Sequence, residues 1–447
     1  MNQSDGYSHL FTLDPARDYP RLVRGEGVYV YDDQGKKYLD AIAGIGVVSI
    51  GYGRKRVADA IARQAARLSY VAPNIFRNEP ADCLAEHISR LLPGDLKYIH
   101  FTSGGSEAVE AAIKIGRQYY YERGMERKHL VISRWTSYHG ATLGALSATG
   151  MHGRRKKFIP YLLDWPHIPP VYCYRCPFSK TYPGCELPCA RELERTINEI
   201  GADKVMAFIA EPIVGAAGAA LVPPPEYWPM VREICNRHDI LLIADEVITG
   251  FGRTGKPFAI NHWDVVPDMI TLAKGISGGY AALGAVGVST KIRAVFEEKG
   301  IPFDHVFTFM ANPISTAAAY EALQIWEEEN LTEQAARTGE YLFEQLNSLR
   351  LKHPMIGDVR GLGLMAGMEF IADTSTKEPY PIEKSVAKVV GRIALKNGLV
   401  TYPVAGVVDG VRGDILSLFP PLIFSRQNVD ELIDKLDKTL TEVKLSL

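Results

Sequence analysis

The segment ILLIADEVITGFGRTG, residues 240–255, indicates the fold of the chain. Five apolar residues, 240–244, are followed at once by Asp245 and Glu246. An unbroken apolar run of this length is typical of a strand that is buried on both faces of a parallel sheet. Acids that directly follow such a strand fall at its carboxyl end, where open α/β sheets bind their ligands. The segment therefore predicts a buried ligand-binding acid, with a helix cap or a structural salt bridge as the alternative.

Similar apolar runs alternate with amphipathic segments through the middle of the chain. The candidate strands cover residues 99–103, 129–134, 204–211, 239–247 and 267–275. The candidate helices cover residues 106–121, 191–200, 226–238 and 313–328. Because strands and helices that alternate in this way form parallel α/β sheets, we expect one large α/β domain over residues 71–330.

The two ends of the chain predict a smaller α+β domain. Residues 26–43, EGVYVYDDQGKKYLDAIA, alternate apolar and polar positions around a turn at residues 32–35, which is typical of a β-hairpin. The last third of the chain predicts a helix, a strand and a second helix, over residues 331–350, 361–370 and 426–445. We expect residues 1–70 to contribute to the small domain and residues 331–447 to form the rest of it.

Composition excludes several classes of partner. The chain has 447 residues, of which 47% are hydrophobic and 23% charged, and its formal net charge is −2. The chain has no excess of basic residues, which would be expected of a protein that binds nucleic acid or an anionic membrane. The first twenty residues contain no apolar signal-peptide core, so a cytoplasmic protein is expected.

A second candidate strand ends in a lysine. The segment DMITLAKG places Lys274 twenty-nine residues after Asp245, directly before Gly275. A lysine at a strand end is normally a solvated charge, but in a closed cleft its amine can form a Schiff base. Pyridoxal phosphate needs a lysine for its aldehyde and an acid for its ring nitrogen. Lys274 and Asp245 together fit that cofactor.

Two further segments offer contacts for such a cofactor. In FTSGGSEAVEAAIKIGRQYY, residues 101–120, Gly104, Gly105 and Ser106 lie between a strand and a helix, where backbone amides and the helix N-terminus favour a phosphate. The alternative is a plain helix cap with Ser106 as its N-cap residue. In SYHGATLGALSATG, Tyr138 and His139 can stack on a flat ring or serve as ordinary wall residues.

Taken in order, seven motifs resemble those of one enzyme family. They are TSGGSEAVEAAIK, SYHGATLGALSATG, EPIVGAAG, LLIADEVITGFGRTGK, DMITLAKGISGGY, FTFMANPISTAAA and VRGLGLMAGMEF. The set resembles the class III aminotransferases, or omega-aminotransferases, which are pyridoxal-phosphate enzymes of fold type I, the aspartate aminotransferase fold. The resemblance runs from about Tyr29 to the terminal helix and implies a large domain with a mostly parallel central sheet.

The resemblance also implies a role for each matching residue. Lys274 looks like the Schiff-base lysine and Asp245 like the partner of the pyridinium nitrogen. The remaining cofactor contacts implied in this way are Val247 under the ring, Tyr138 above it, His139 behind Tyr138, Glu211 at the floor, and Gly105 and Ser106 at the phosphate. Thr308 matches a threonine that reaches the phosphate from the neighbouring subunit. This implies a homodimer, or a tetramer built from it, with active sites at the interface.

One departure from the family pattern bears on the substrate. Family members that use 2-oxoglutarate typically carry a Q-G-E-G-G segment, whose glutamate parks a carboxylate-binding arginine. Here the segment is VGAAG, residues 214–218, with Ala216 at the acidic position, which resembles the pyruvate-using branch. Arg412, ahead of Pro420-Pro421-Leu422, is the candidate for binding the acceptor carboxylate, with a surface arginine as the alternative.

The resulting hypothesis is a ping-pong aminotransferase that moves the amino group of a small ω-amino acid or amine, such as taurine or β-alanine, to pyruvate. Three alternatives stay open. The acceptor could be 2-oxoglutarate, or the reaction could be that of a related epimerase, aminomutase or decarboxylase, because a shared fold is weak evidence about the reaction. The third alternative is a binding or regulatory protein without turnover.

A cysteine cluster lies outside all of these motifs. The segment VYCYRCPFSKTYPGCELPCA contains Cys173, Cys176, Cys185 and Cys189, within a proline-rich loop predicted over residues 165–190. The spacing allows a structural zinc site, paired or redox-responsive thiols, or free thiols packed in the loop. We predict no metal among the catalytic residues themselves.

Overall fold

The computed structural model describes residues 9–11, 13–14, 17 and 19–446. Its strands are β1 (Leu22–Glu26), β2 (Tyr29–Asp32), β3 (Lys37–Asp40), β4 (Leu96–Thr102), β5 (Leu130–Arg134), β6 (His167–Ile168), β7 (Val205–Ala210), β8 (Leu241–Asp245), β9 (Met269–Leu272), β10 (Gly284–Ser289), β11 (Ile356–Leu362), β12 (Met365–Phe370), β13 (Leu399–Val400), β14 (Tyr402–Ala405) and β15 (Asp414–Leu418). Its α-helices are α1 (Ala43–Gly46), α2 (Lys55–Arg67), α3 (Glu79–Leu91), α4 (Gly105–Glu122), α5 (Leu143–Ala148), α6 (His152–Arg155), α7 (Pro188–Ile200), α8 (Tyr227–Arg237), α9 (Thr290–Lys299), α10 (Pro313–Glu328), α11 (Leu331–Lys352), α12 (Val386–Lys396) and α13 (Arg426–Ser446). Within this described part of the chain, none of the helices combines the length and the apolar character needed to cross a membrane.

A seven-stranded sheet forms the centre of the molecule, in the order β4-β10-β9-β8-β7-β5-β6. Neighbouring strands from β9 through β8, β7 and β5 to β6 are parallel, which confirms the mostly parallel sheet. Strand β10 is antiparallel to both of its neighbours, β4 and β9. The sequence pattern does not indicate this strand, because its GAVGVS run contains two glycines, which weaken a strand pattern. Gly287 allows close packing there, since a Cβ would lie 2.6 Å from Cδ1 of Leu92 and would force that side chain to shift.

The carboxyl ends of the strands bring the predicted site residues to one edge of this sheet. Strand β8 ends in Asp245, and β9 ends two residues before Lys274. Strand β7 ends directly before Glu211, and β5 ends four residues before Tyr138. Because these four strands run in the same direction, their carboxyl ends form one cleft edge, as the switch-point rule for α/β sheets requires.

The N-terminal and C-terminal segments share a second sheet, in the order β1-β2-β3-β13. The predicted hairpin is confirmed as β2 and β3, and the Asp32 carboxylate stabilises its turn by accepting hydrogen bonds from the backbone amides of Gln34 and Lys36. Strand β13 pairs in parallel with β3 and so joins the two ends of the chain. The domain boundaries at residues 70 and 330 stay predictions.

The strand predicted over residues 361–370 is confirmed over Met365–Phe370 as β12, but its first residues belong to another strand and a turn. The segment belongs to two antiparallel strands, β11 and β12, in a third sheet with the order β11-β12-β15-β14. Gly363 lies between them with φ +57°, a left-handed conformation that glycine adopts without strain. The apolar run on both sides of this glycine hid the turn.

The predicted helices are present with small shifts at their ends. Helix α10 begins at Pro313, and the Asn312 side chain accepts hydrogen bonds from the amides of Ile314 and Ser315, which is an ordinary N-cap. Helix α7 begins at Pro188, three residues before the predicted start at 191, so Cys189 lies in a helix. Strand β6 also lies inside the segment predicted as an irregular loop over 165–190.

Candidate active site

The cleft at the carboxyl edge of the central sheet has a volume of about 340 Å³. Eight of the ten predicted site residues line it: Gly105, Ser106, Tyr138, His139, Glu211, Asp245, Val247 and Lys274. These residues come from five separate segments of the chain. Their convergence follows from the sheet topology, since each segment follows a strand that ends at this edge.

Asp245 is buried and held in a fixed orientation by three donors. Its Oδ1 atom accepts hydrogen bonds from the Thr271 hydroxyl, at 3.0 Å, and from the backbone amide of Val247, at 3.1 Å. Its Oδ2 atom lies 2.6 Å from Nδ1 of His139. Burying a carboxylate is costly unless its oxygens are hydrogen-bonded, and these contacts meet that requirement. The carboxylate is therefore a preorganised negative charge inside the cleft.

Lys274 presents an amine suited to nucleophilic attack. Burial lowers the pKa of Lys274 to about 8, while the nearby carboxylates of Asp245 and Glu211 oppose part of this effect. Within the described part of the chain the hydrogen bonds of Lys274 are made by its backbone and none by its Nζ atom. Its backbone has φ +45°, a sparsely populated conformation for a residue with a side chain, and such strain clusters at functional sites. The amine is thus held ready for a ligand.

Glu211 connects two walls of the cleft. Its Oε2 atom accepts a hydrogen bond from the backbone amide of Tyr138, at 3.2 Å, and its Oε1 atom accepts one from the amide of Gly215, at 2.9 Å. The Arg134 guanidinium donates to the Glu211 main-chain carbonyl. Burial raises the pKa of the Glu211 carboxyl. Glu211 therefore fixes the positions of the segments that carry Tyr138 and Gly215.

The start of helix α4 forms an open cradle. The helix begins at Gly105 with Gly104 in the cap position, so the alternative of a plain cap with Ser106 as the N-cap residue does not hold. A Cβ atom on Gly105 would lie 2.9 Å from Cγ1 of Val247, so only glycine fits without a shift. The Ser106 hydroxyl accepts a hydrogen bond from the backbone amide of Ala141. Free amides and the positive end of the helix dipole suit an anion at this point.

Comparison with known proteins agrees with this geometry. The family model of the class-III aminotransferases matches residues 16–440. The chain belongs to the class III aminotransferases. It is 37% identical over 427 residues to the taurine–pyruvate aminotransferase of Bilophila wadsworthia, covering 94% of this chain and 92% of that one. It is 36% identical over 431 residues to the diaminobutyrate–2-oxoglutarate transaminase of Halomonas elongata, covering 94% of this chain and 90% of that one.

A solved structure shows the same fold. The crystal structure of a thermostable (S)-enantioselective omega-transaminase from Thermomicrobium roseum matches with a TM-score of 0.90 and 37% identity. The match covers 96% of each chain. The aminotransferase is therefore a fold type I enzyme, as the sequence motifs predicted.

The aminotransferases of this class use pyridoxal 5′-phosphate, and the cleft fits that cofactor. Lys274 would offer the amine for its aldehyde, and Asp245 would offer a fixed carboxylate for its ring nitrogen. Gly105 and Ser106 would hold its phosphate at the start of helix α4. When bound, the cofactor supplies an electron sink for the bonds of the amino-group carbon. The Lys274 amine, whose pKa burial lowers, would be the group that takes and returns the proton.

The structure adds residues that the motif analysis did not single out. Thr271 holds Asp245 from the neighbouring strand, and Arg134 holds the Glu211 carbonyl. The alternation of DMITLAKG could have indicated Thr271, because it lies on β9 opposite Asp245 in the parallel pairing. Nothing local to Arg134 indicates its role, since its partner is seventy-seven residues away.

Glu246 illustrates the structural alternative for a buried acid. Its carboxylate accepts hydrogen bonds from the backbone amides of Ala259 and Ile260, at the start of a short 3₁₀ helix, and from the Thr249 hydroxyl. Burial raises the pKa of Glu246 to about 7. Of the two neighbouring acids, Asp245 faces the cleft and Glu246 holds the loop behind it.

Two predicted site residues lie away from the cleft of their own chain. Thr308 is exposed, and its carbonyl accepts a hydrogen bond from the Tyr70 hydroxyl. Arg412 is exposed at the surface, where it pairs with Asp409 at 2.7 Å and with Glu378 at 3.0 Å. The structure brings neither residue to the other eight, and their proposed roles stay predictions.

The cysteine-rich segment also lies outside the cleft. Its four cysteines, Cys173, Cys176, Cys185 and Cys189, are free thiols around a cavity of about 20 Å³. Across the described residues, no group of three or more His, Cys, Asp and Glu side chains is arranged to hold a metal ion. Burial raises the pKa of Cys189 to about 11, which disfavours a reactive thiolate. Only Cys189 of the four is buried, and zinc binding or pairing of these thiols stays a prediction.

Proposed function

We propose that this aminotransferase moves the amino group of a small ω-amino acid or amine, such as taurine or β-alanine, to pyruvate. The reaction is ping-pong, so the deaminated donor leaves before the keto acid binds. The observation that carries the proposal is Ala216, which lines the cleft at the position where 2-oxoglutarate-using family members have a glutamate.

The rest of the cleft lining supports a small donor. Among the described residues that line it there is no arginine, and Lys274 is the one side chain with an ammonium group. Several residues of the lining are aliphatic and offer no charged partner to a substrate: Val47, Ala216, Ile248, Ala281, Ala282 and Leu283. A glutamate at position 216 would have no arginine to hold. The two relatives use pyruvate and 2-oxoglutarate respectively by name, so Ala216 decides between the acceptors in this proposal.

The proposal includes a cytoplasmic homodimer with shared active sites. Thr308 lies in an exposed segment together with two large apolar side chains, Val306 and Phe309, each more than half exposed. Exposed apolar groups close together are typical of an interface. Thr308 and the phosphate cradle of the other subunit would meet across it. Light scattering on the purified protein tests the dimer, and a monomer with full activity would refute it.

A donor and acceptor panel on the purified holoenzyme tests the reaction. Taurine, β-alanine and a short diamine are each offered with pyruvate or with 2-oxoglutarate, and alanine or glutamate formation is measured. We expect turnover with pyruvate, and strict dependence on 2-oxoglutarate would refute the acceptor. Conversion of a single amino compound without any keto acid would instead indicate an epimerase or an aminomutase. Lys274→Ala is the inactive control.

A further inference from the structure

The wall that carries Ala216 is a strained turn. Val214 and Leu221 close it through reciprocal backbone hydrogen bonds of 3.1 and 3.2 Å. Within it, Ala219 and Ala220 have φ angles of +49° and +58°. Two successive left-handed residues with side chains are unfavourable and persist only where surrounding contacts fix them. The turn therefore needs contacts from residues outside it to stabilise its conformation.

Arg360 on strand β11 supplies such contacts and so holds the turn. Its Nε atom donates to the Ala219 carbonyl at 2.9 Å, and its Nη2 atom donates to the Gly218 carbonyl at 2.7 Å. Strand β12 approaches from the same side, since a Cβ atom on Gly367 would lie 2.0 Å from the Ala219 oxygen. The planar guanidinium can donate to two carbonyls at once, which a lysine ammonium cannot do in the same geometry.

Glu369 links this hold to the cysteine-rich segment. Its carboxylate is fully buried and accepts a hydrogen bond from Nη1 of Arg360 at 2.9 Å. It also accepts hydrogen bonds from the Tyr172 hydroxyl and from Nε of Arg175, both next to the first cysteines. The hydrogen bonds from these three donors offset the free-energy cost of burying the Glu369 carboxylate. Asp358 also accepts a hydrogen bond from Nη1 of Arg360, with its Oδ2 atom at 2.7 Å.

We propose that Arg360 and Glu369 are positioning residues for substrate binding, and that the cysteine-rich segment acts on the active site through them. The path runs from Tyr172 and Arg175 to Glu369, from there to Arg360, and then to the turn that carries Ala216. The segment with the cysteines thus braces the substrate wall from behind, without contributing a group to the cleft. This inference rests on the proposed role of the Ala216 wall in substrate binding.

Arg360→Lys tests the hold directly. The charge beside Glu369 and Asp358 is retained, but the paired hydrogen bonds to the turn are lost. We expect KM for the keto acid to rise about fivefold or more, with kcat within about threefold of the unchanged enzyme. The visible absorbance of the bound cofactor should persist, because its contacts lie on other segments. Arg195→Lys is the matched control, since the exposed Arg195 pairs with Glu192 and Glu199 of its own helix and should leave KM unchanged.

Tyr172→Phe tests the link to the cysteine-rich segment. It removes one donor to Glu369 and keeps the aromatic packing, so we expect a smaller rise in KM in the same direction. KM within about twofold of the unchanged enzyme for Arg360→Lys would overturn the proposal. So would a fall in kcat together with loss of cofactor absorbance at constant KM, which is the signature of general damage. If the unchanged enzyme uses 2-oxoglutarate, the proposed acceptor fails, but the same KM comparison with 2-oxoglutarate still tests the positioning role.

Discussion

The protonation of Lys274 should set the rate at which the apoenzyme captures its cofactor. Only the neutral amine attacks an aldehyde. Burial lowers the pKa of Lys274 from the ordinary 10.5 to about 8. At pH 7 an amine with a pKa of 8 is ~9% neutral, whereas one with a pKa of 10.5 is ~0.03% neutral. The cleft should therefore raise the reactive fraction at pH 7 by about 300-fold.

The assay follows cofactor capture by visible absorbance after apoenzyme is mixed with pyridoxal phosphate from pH 6 to pH 10. The lowered pKa means that the amine is mostly charged below pH 8 and mostly neutral above it. We expect the rate constant to rise about tenfold per pH unit below pH 8 and to level off above it. Nα-acetyl-lysine, measured in parallel, corrects for titration of the cofactor itself and should rise up to its ordinary pKa.

Asp245→Asn tests the direction in which the Asp245 carboxylate shifts the pKa of Lys274. The Asp245 carboxylate favours the charged amine, so its removal should move the inflection to a lower pH. Asp239→Asn is the control, because Asp239 pairs with Arg123 at the protein surface and should leave the inflection in place. A corrected rate that is flat across this range, or that still rises above pH 9.5, would refute the assignment of Lys274 as the depressed amine.

Three further predictions concern small residues of the cleft. Gly105→Ala places a Cβ 2.9 Å from Val247, so overpacking of about 1–3 kcal/mol should weaken pyridoxal phosphate binding, measured by dialysis and absorbance; unchanged affinity would contradict the tight contact. Gly104→Ser meets no atom within 4 Å, so its melting temperature should stay within a degree or two of the parent. Ala216→Glu adds a carboxylate to a cleft that already contains Asp245 and Glu211 and has no arginine among its described lining residues. The KM for pyruvate should therefore rise about tenfold or more, because like charges repel the carboxylate of pyruvate. A lower KM would instead show that the new glutamate recruits a cation.

Local patterns were sufficient to predict much of the central sheet and the reactive residues. The apolar run before Asp245 marked a buried strand, and the same reasoning placed Lys274 at the end of the next one. A polar group directly after a buried strand has few positions available to it, so its place in the cleft follows from the strand alone. Strand β10 and the turn at Gly363 were missed, because glycine blurs both the strand pattern and its interruption.

The sequence by itself predicted the class of enzyme, its cofactor and eight of the residues that line the cleft, since each of these is encoded in short motifs around a strand end. Only the tertiary structure decided what holds those groups in place. Thr271 fixes Asp245 from a neighbouring strand, and Arg360 grips the Ala216 turn from 141 residues away. Such partners meet only when separate sheets pack together, and a hydrogen bond between distant segments leaves no periodic pattern in either one. The cysteine-rich segment shows the same division, because its spacing left zinc binding, paired thiols and free thiols open, whereas only the packing shows that Glu369 connects it to the Arg360 that holds the turn with Ala216.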